Sequence, residues 1–311
     1  MANTTTAVIG TGVIGRSWAL VFARGGCLTR IYDASAAQAA RAREWLAKTL
    51  ALAVSDGFMT NEQAVSAEQR VSICPDLESA VRGAAYVQES GPENLEQKRN
   101  IFAELDRLVG PQTILATSTS TLDIQEIARG LAGGRRCFVA HPFNPPHVVP
   151  AVEVLPTHGA PAELINSACE FLRRVGQSPV LVKRYAVGFI GNRIQAALVR
   201  EAIHIVESGV ADVDSVDTMV RDGLGLRWAI MGPFGVANTN ADEGIRQYYG
   251  RYGHAYLALM NDLGPTPKFD QQMIESVARG VDEMTGMEPM ADQLHRRDRL
   301  ILRIRQLKRQ G

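Results

Sequence analysis

Short apolar runs alternate with stretches of helical periodicity along the chain up to about residue 185. The runs have the length of buried strands, and the stretches between them are long enough for helices. Strands that alternate with helices are typical of a largely parallel sheet with helices on both faces. The sequence therefore predicts an α/β fold with a doubly wound N-terminal sheet. Its candidate strands are Thr6–Ile9, Leu28–Tyr32, Ala84–Val87, Ile114–Ala116, Cys137–Ala140, Val148–Leu155 and Val180–Val182.

The pattern changes beyond Gly188, where long helical windows at 192–208, 213–222 and 242–260 follow one another with few strand signals. A chain of 311 residues exceeds what one compact core usually holds. We therefore expect two domains, 1–187 and a mostly α-helical 188–311, with a hinge at Tyr185–Gly188.

The C-terminal tail from His295 to Gln310 carries many arginines and lysines, with apolar residues at helical spacing between them. A single apolar stripe is what a docked helix or a dimer-interface helix needs. We therefore expect a homodimer formed through the C-terminal domain rather than a tail that binds nucleic acid or a membrane.

Composition excludes several classes of protein. Thirty-three basic residues balance 33 acidic ones, so there is no basic excess to attract nucleic acid. No apolar run is long enough to span a membrane, and the start of the chain shows no signal-peptide pattern. The four cysteines are widely spread without metal-ligand spacing, which predicts reduced thiols and no metal site. These features favour a cytoplasmic protein.

A glycine-rich segment, Gly10–Gly15, follows the first strand directly and opens a helical stretch. This is the context in which the G-x-G-x-x-G pattern binds a dinucleotide, because the turn and the helix N-terminus present free N–H groups to the pyrophosphate. The expected cofactor-binding residues of the segment are Gly10, Gly12, Val13, Ile14 and Gly15.

Asp33 follows the second strand and stands where a carboxylate should receive the adenosine ribose hydroxyls. Its charge would repel a 2′-phosphate, and Ala34–Ala36 offers no arginine to hold one. The sequence therefore predicts NAD rather than NADP as the cofactor.

His141 ends an apolar strand and opens the proline-rich run His141–Pro146, and Glu153 lies on the apolar run that follows. A carboxylate that meets a histidine fixes its tautomer and stabilises its protonated form, which makes a general base usable near neutral pH. A structural histidine beside a surface glutamate is the alternative for this pair taken alone.

Several motifs in one order resemble the L-3-hydroxyacyl-CoA dehydrogenase superfamily over essentially the whole chain, and within it the lambda-crystallin or L-gulonate 3-dehydrogenase branch. Besides the glycine segment, they are Gln88–Leu95, Ser118–Ser120, His141–Pro146, Gly188–Arg193, Asp222–Arg227 and Asn240–Gly244. The resemblance implies a Rossmann-type NAD-binding domain and an NAD-dependent dehydrogenase.

The resemblance also assigns roles to single positions. It implies that Ser120, His141, Glu153 and Asn192 are catalytic, with Ser120 and Asn192 also binding the substrate. Glu93, Lys98, Asn144 and Ser120 match positions near the nicotinamide half of the cofactor. Turn capping is the alternative for Ser120, a helix cap for Asn192, and surface charge for Glu93 and Lys98.

Relatives of this superfamily act either on acyl-CoA thioesters or on free 3-hydroxy acids. The segment 49–69, which corresponds to the part that meets CoA in the thioester enzymes, has no lysine or arginine and contains three acidic residues. Such a segment is a poor partner for the phosphates of CoA. Arg227 could instead hold a small carboxylate, or it could form a salt bridge to Asp222.

We therefore expect oxidation of the 3-hydroxyl of a free L-3-hydroxy acid that resembles L-gulonate. A 3-hydroxyacyl-CoA dehydrogenase is the first alternative. A carnitine-type substrate is another, since Trp228, Tyr248, Tyr249 and Tyr252 could cage a quaternary ammonium. The third is an NAD-binding structural protein of the crystallin kind.

Overall fold

A computed structural model describes residues 4–286 and 288–310 of the chain. These residues form two compact units, the first ending at Gly191 and the second beginning at Asn192. The sequence places the boundary a few residues earlier, after residue 187.

One sheet forms the centre of the first unit, and the described residues contribute eight strands to it. They are β1 (Thr5–Ile9), β2 (Leu28–Tyr32), β3 (Val71–Ile73), β4 (Tyr86–Glu89), β5 (Ile114–Thr117), β6 (Cys137–Pro142), β7 (Ala151–Pro156) and β8 (Ser178–Leu181). The order across the sheet is β3-β2-β1-β4-β5-β6-β7-β8. All neighbouring pairs are parallel except β6 and β7, which are antiparallel. The predicted α/β class with a mostly parallel sheet is confirmed.

Helices cover both faces of this sheet. They are α1 (Val13–Arg24), α2 (Ala36–Ser55), α3 (Asn61–Gln69), α4 (Leu77–Val81), α5 (Leu95–Leu108), α6 (Ile124–Ile127) and α7 (Ala162–Arg174), with a 3-10 turn at Gly134–Arg136. Successive strand residues alternate between two buried clusters, as the pleat requires. Val8 packs with Trp18 and Phe22 on one face, whereas Ala7 packs with Phe102 on the other.

One strand of the sheet was not predicted, and several predicted strands have different bounds, among them β7, which begins at Ala151, and β8, which ends at Leu181. β3 was missed because it has only three residues, of which Ser72 and Ile73 are exposed, so no apolar run marks it. β4 begins at Tyr86 rather than Ala84, since the N–H of Ala84 closes the turn after α4 by bonding the carbonyl of Val81. At its other end, β4 extends two residues beyond the predicted Val87, to Glu89, which is buried.

The second unit is mostly helical, as the sequence predicts, and none of its described residues form a strand. Its helices are α8 (Gly191–Glu207), α9 (Val213–Thr218), α10 (Leu226–Trp228), α11 (Pro233–Thr239), α12 (Ile245–Asp262), α13 (Gln271–Thr285) and α14 (Met290–Lys308). The first residue of α8, Gly191, is the last residue of the first unit. A π-helical segment, Met219–Gly225, joins α9 to α10. The predicted tail helix is present as α14. Among the described residues, no helix is long and apolar enough to cross a membrane.

Candidate active site

The glycines after β1 have the close contacts that the dinucleotide pattern requires. Gly10 has φ +85°, and a Cβ added there would lie 2.8 Å from the carbonyl carbon of Ser90. A Cβ at Gly15 would lie 1.8 Å from the carbonyl oxygen of Gly10, so only glycine permits this packing of α1 against the turn. At Gly12 an added Cβ would meet nothing within 4 Å. The N-terminus of α1 is therefore open on the side where a pyrophosphate is expected.

Asp33 stands at the end of β2, beside this turn. Its Oδ2 accepts hydrogen bonds from the backbone N–H of Thr11 at 2.8 Å and from the Thr11 hydroxyl at 3.0 Å. Asp33, Gly10 and Gly12 line one groove of about 550 Å³ with Glu89, Ser90 and Lys98. An open helix N-terminus beside a carboxylate and a groove of this size fits a dinucleotide whose ribose hydroxyls face Asp33.

His141 and Glu153 form a buried pair where β6 and β7 run antiparallel within the sheet. They are register partners on β6 and β7, and Nδ1 of His141 lies 2.8 Å from Oε2 of Glu153. Only 6% of the His141 side chain and 5% of the Glu153 side chain are exposed. The predicted meeting of the two residues is thus present, and the alternative of a surface glutamate is wrong.

The other oxygen of Glu153 accepts hydrogen bonds from the N–H groups of Ile190 and Gly191, at 2.7 and 2.9 Å. Burial would raise the pKa of Glu153, but the hydrogen bonds from His141 and from these two N–H groups outweigh it and keep the pKa below its ordinary value. Because a charged carboxylate only accepts, Nδ1 of His141 carries the proton and Nε2 has a free lone pair.

Two phenylalanines enclose the imidazole. The ring centroids of Phe143 and Phe189 lie 5.8 and 5.5 Å from that of His141. A Cβ at Gly191 would lie 1.9 Å from the Phe143 ring, so glycine is required where the chain passes this ring. The aromatic groups limit the orientations of His141 and exclude water from its flanks.

Ser120 lies in the loop after β5, and its backbone N–H donates to Oε1 of Glu93 at 2.9 Å. The Ser120 side chain is half-buried, and no described residue hydrogen-bonds its hydroxyl. The hydroxyl is therefore available to a ligand.

Lys98 is not a surface charge. Only 2% of its side chain is exposed, and its Nζ lies 3.0 and 2.8 Å from the two oxygens of Glu89, which is equally buried. Glu89 also accepts from the Thr117 hydroxyl at 2.6 Å. Sequence reasoning missed Glu89, because its burial depends on β4 extending beyond the apolar run.

The structure places the remaining predicted residues as follows. Asn144 is exposed in the loop after β6, and Asn192 is half-buried in the first turn of α8. Nε of Arg227 donates to the carbonyl of Gly223, whereas Asp222 pairs with Arg221 at 3.0 Å. The predicted alternative of an Arg227–Asp222 salt bridge is therefore wrong.

Tyrosines of α12 cluster in the second unit. The hydroxyls of Tyr248 and Tyr256 lie 3.0 Å apart, and the Tyr249 and Tyr252 rings pack on Tyr248. The hydrogen bond with Tyr248 raises the pKa of Tyr256 above its ordinary value. No group of three or more potential metal ligands occurs within 4–286 and 288–310.

Family models agree with this architecture. The model described as 3-hydroxyacyl-CoA dehydrogenase, NAD binding domain, matches residues 5–185, and the model of the C-terminal domain of the same family matches residues 188–279. Together the two models match most of the chain, from residue 5 to residue 279.

Curated and solved proteins resemble the chain over nearly its full length. The lambda-crystallin homolog of Bos taurus is 39% identical, with 98% of this chain and 95% of that protein covered. The L-carnitine dehydrogenase of Streptomyces griseus is 33% identical over 95% of this chain and 87% of its own length. A crystal structure of 5-formyl-3-hydroxy-2-methylpyridine 4-carboxylic acid 5-dehydrogenase, an NAD+-dependent dismutase, matches with a TM-score of 0.82 and 26% identity, covering 99% of each chain. The chain thus belongs to the 3-hydroxyacyl-CoA dehydrogenase family and is an NAD-dependent oxidoreductase.

Proposed function

We propose that the protein oxidises the 3-hydroxyl of a free L-3-hydroxy acid, of the kind that L-gulonate represents, to the 3-keto acid. The buried His141–Glu153 pair carries this proposal, because it supplies a general base in a fixed tautomer. When bound, NAD would supply the acceptor for the hydride that leaves C3.

His141 takes the proton of the C3 hydroxyl on Nε2. The charge that develops on the imidazole is stabilised by Glu153, which stays ionised because three hydrogen bonds hold it. Phe143 and Phe189 keep the ring in place during the transfer. General base catalysis of this kind is typically worth a factor of about 10² to 10⁴.

Ser120 and Asn192 orient the substrate. The free hydroxyl of Ser120 and the amide of Asn192 can hydrogen-bond the reacting oxygen and fix the direction in which the proton leaves. For the cofactor, the segment Gly10–Gly15, with Val13 and Ile14, would hold the pyrophosphate. Asp33 would hold the adenosine ribose.

The nicotinamide half of the cofactor would face a second group of residues. These are Glu93, Lys98, Ser120 and Asn144. Lys98 would influence the cofactor through its positive charge rather than through a direct contact, since its ammonium group already donates hydrogen bonds to both oxygens of Glu89.

Charge favours a free acid over a CoA thioester. Segment 49–69, the end of α2 and all of α3, contains no basic residue and carries Asp56, Glu62 and Glu68. Arg227 has no carboxylate partner among the described residues, so its guanidinium can hold the carboxylate of the substrate. The dismutase that shares this fold is named for a free carboxylic acid.

Similarity to L-carnitine dehydrogenases favours a second candidate, a carnitine-type hydroxy acid. The tyrosine cluster of α12 offers aromatic faces for a trimethylammonium group. The 3-hydroxyacyl-CoA alternative follows from the family itself.

One assay separates these functions. NADH formation is measured with NAD and, in turn, L-gulonate, 3-hydroxybutyrate, L-carnitine and 3-hydroxybutyryl-CoA. We expect the highest kcat/KM with a free acid that lacks the trimethylammonium group. A thioester preference would favour the first alternative, and no turnover of any substrate would favour a structural protein of the crystallin kind.

A homodimer and a cytoplasmic location complete the proposal. Large apolar side chains of the second unit are exposed, Phe234 at 71% and Leu257 at 61%, and only a second apolar surface would shield them from water. A second copy of the chain is the partner we propose. Light scattering during gel filtration should give twice the mass of one chain.

A further inference from the structure

One oxygen of Glu93 holds three successive residues of the Ser120 loop. Oε1 accepts from the N–H groups of Ser120 and Thr121, both at 2.9 Å, and from the hydroxyls of Thr119 and Thr121 at 2.6 and 3.0 Å. Hydrogen bonds to a charged acceptor are stronger than neutral ones. The backbone conformation of Ser120 is therefore fixed by a side chain from another loop.

Ser118, two residues before Ser120, is also held by the segment that contains Glu93. The Ser118 hydroxyl lies 2.8 Å from Nε2 of Gln88 and 2.9 Å from the hydroxyl of Ser90. Ser90 also lines the groove that contains Gly10 and Asp33. Residues 89–92 thus line the cofactor groove, and Gln88, Ser90 and Glu93 of the same segment support the Ser120 loop.

Glu93 also lies close to the buried ammonium group of Lys98, which a second carboxylate holds in place. Oε2 lies 3.9 Å from Nζ of Lys98, which the buried carboxylate of Glu89 holds with both oxygens. Burial would raise the pKa of Glu93, but hydrogen bonds from Thr119 and Thr121 and the charge of Lys98 lower it overall. Glu93 therefore stays ionised at neutral pH and keeps its hold on the loop.

We propose that Glu93 is a positioning residue that sets the Ser120 hydroxyl for the reaction and so couples the cofactor groove to the substrate side of the site. The inference rests on the proposed function of Ser120. It differs from a direct cofactor contact, which would make Glu93 matter for NAD affinity alone.

A double-mutant cycle at saturating NAD tests the proposal. Glu93→Ala should lower kcat about ten- to hundred-fold, the cost of misplacing a reacting group by about 1 Å. In a Ser120→Ala background the same change should lower kcat by less than about three-fold, because the residue it positions is absent. Glu93→Gln, which keeps an acceptor oxygen, should recover most of the loss. Glu96→Ala, at an exposed glutamate in the first turn of α5 just after Glu93, is the matched control.

Equal losses from Glu93→Ala in both backgrounds would overturn the proposal, and so would a higher KM for NAD with an unchanged kcat. Thr119→Val removes one of the four donors and tests the contact from the loop side if Glu93→Ala does not fold.

Amide hydrogen exchange provides a readout without turnover. The amides of Ser120 and Thr121 should exchange faster in Glu93→Ala than in wild type or Glu96→Ala, and unchanged exchange would contradict the positioning role. If wild type oxidises no hydroxy acid while this exchange result holds, the proposed function fails and the loop contact stands.

Discussion

Nδ1 of His141 lies 2.8 Å from Oε2 of Glu153 across the antiparallel pair of strands β6 and β7. The other oxygen of Glu153 accepts hydrogen bonds from the N–H groups of Ile190 and Gly191. One carboxylate is therefore hydrogen-bonded both to the candidate base and to the chain segment that leads into the second unit. This arrangement fixes both the tautomer and the orientation of the imidazole. It is the basis for the mechanism proposed above.

Cofactor choice should depend on Asp33. We expect kcat/KM with NAD to exceed that with NADP by a factor on the order of 10², because placing a 2′-phosphate against this carboxylate costs several kcal/mol. Asp33→Ser should bring the ratio of kcat/KM with NAD to kcat/KM with NADP closer to one, because it removes the repelling carboxylate. Equal kcat/KM values for the two cofactors in wild type would refute this prediction.

Glu153 should make the stability of the protein depend on pH in the acidic range. Its folded-state pKa is below the ordinary value of about 4.3, so its charge stabilises the fold fully above that pH. The contribution is lost as the pH falls through the folded-state pKa. Urea unfolding should therefore show that the difference between wild type and Glu153→Gln is largest near neutral pH and shrinks below about pH 4.3.

The exposed Glu163 of α7 provides the control for this measurement, since Glu163→Gln should leave the pH dependence unchanged. A difference for Glu153→Gln that is constant between neutral and acidic pH would show that its charge does not stabilise the fold.

Arg227 should distinguish the two classes of substrate. Arg227→Met should reduce kcat/KM for the free acid by a factor on the order of 10 to 10², which corresponds to about 1.5–3 kcal/mol, the range for hydrogen bonds to charged groups. Activity on 3-hydroxybutyryl-CoA should change little, because the thioester has no carboxylate at that end. Arg221→Met, at an exposed arginine paired with Asp222, is the matched control. If Arg227→Met lowers both activities equally or neither, Arg227 does not bind the carboxylate.

Much of the first unit could be predicted because its signals are local. The strand Leu28–Tyr32 has the predicted bounds, and the glycine segment stands between strand and helix as its spacing indicates. The pairing of His141 with Glu153 was predictable because the loop 143–150 returns the chain to the side of the strand that carries His141. The prolines of that loop delay the second strand, which begins at Ala151 rather than Val148.

Other features depend on tertiary contacts. The ion pair of Glu89 and Lys98 is buried by the strands and helices around it, and nothing in the local sequence distinguishes it from surface charge. The four hydrogen bonds between Glu93 and the Ser120 loop join segments about 27 residues apart. Parallel strands bring such segments together at their carboxyl ends, but which side chains then meet depends on the register of the sheet.

The turnover of a His141→Ala variant tests the central claim most directly. At saturating NAD and free hydroxy acid, kcat should fall by a factor on the order of 10² to 10⁴, while the dissociation constant of NADH, measured by its fluorescence, stays within about two-fold of wild type. His147→Ala removes a buried histidine in the loop after β6, whose Nδ1 lies 2.7 Å from the Ser17 hydroxyl, and provides a comparison for effects of packing. A His141→Ala enzyme that retains kcat within a few-fold of wild type would contradict the account, because His141 would then be structural and the base would be another group.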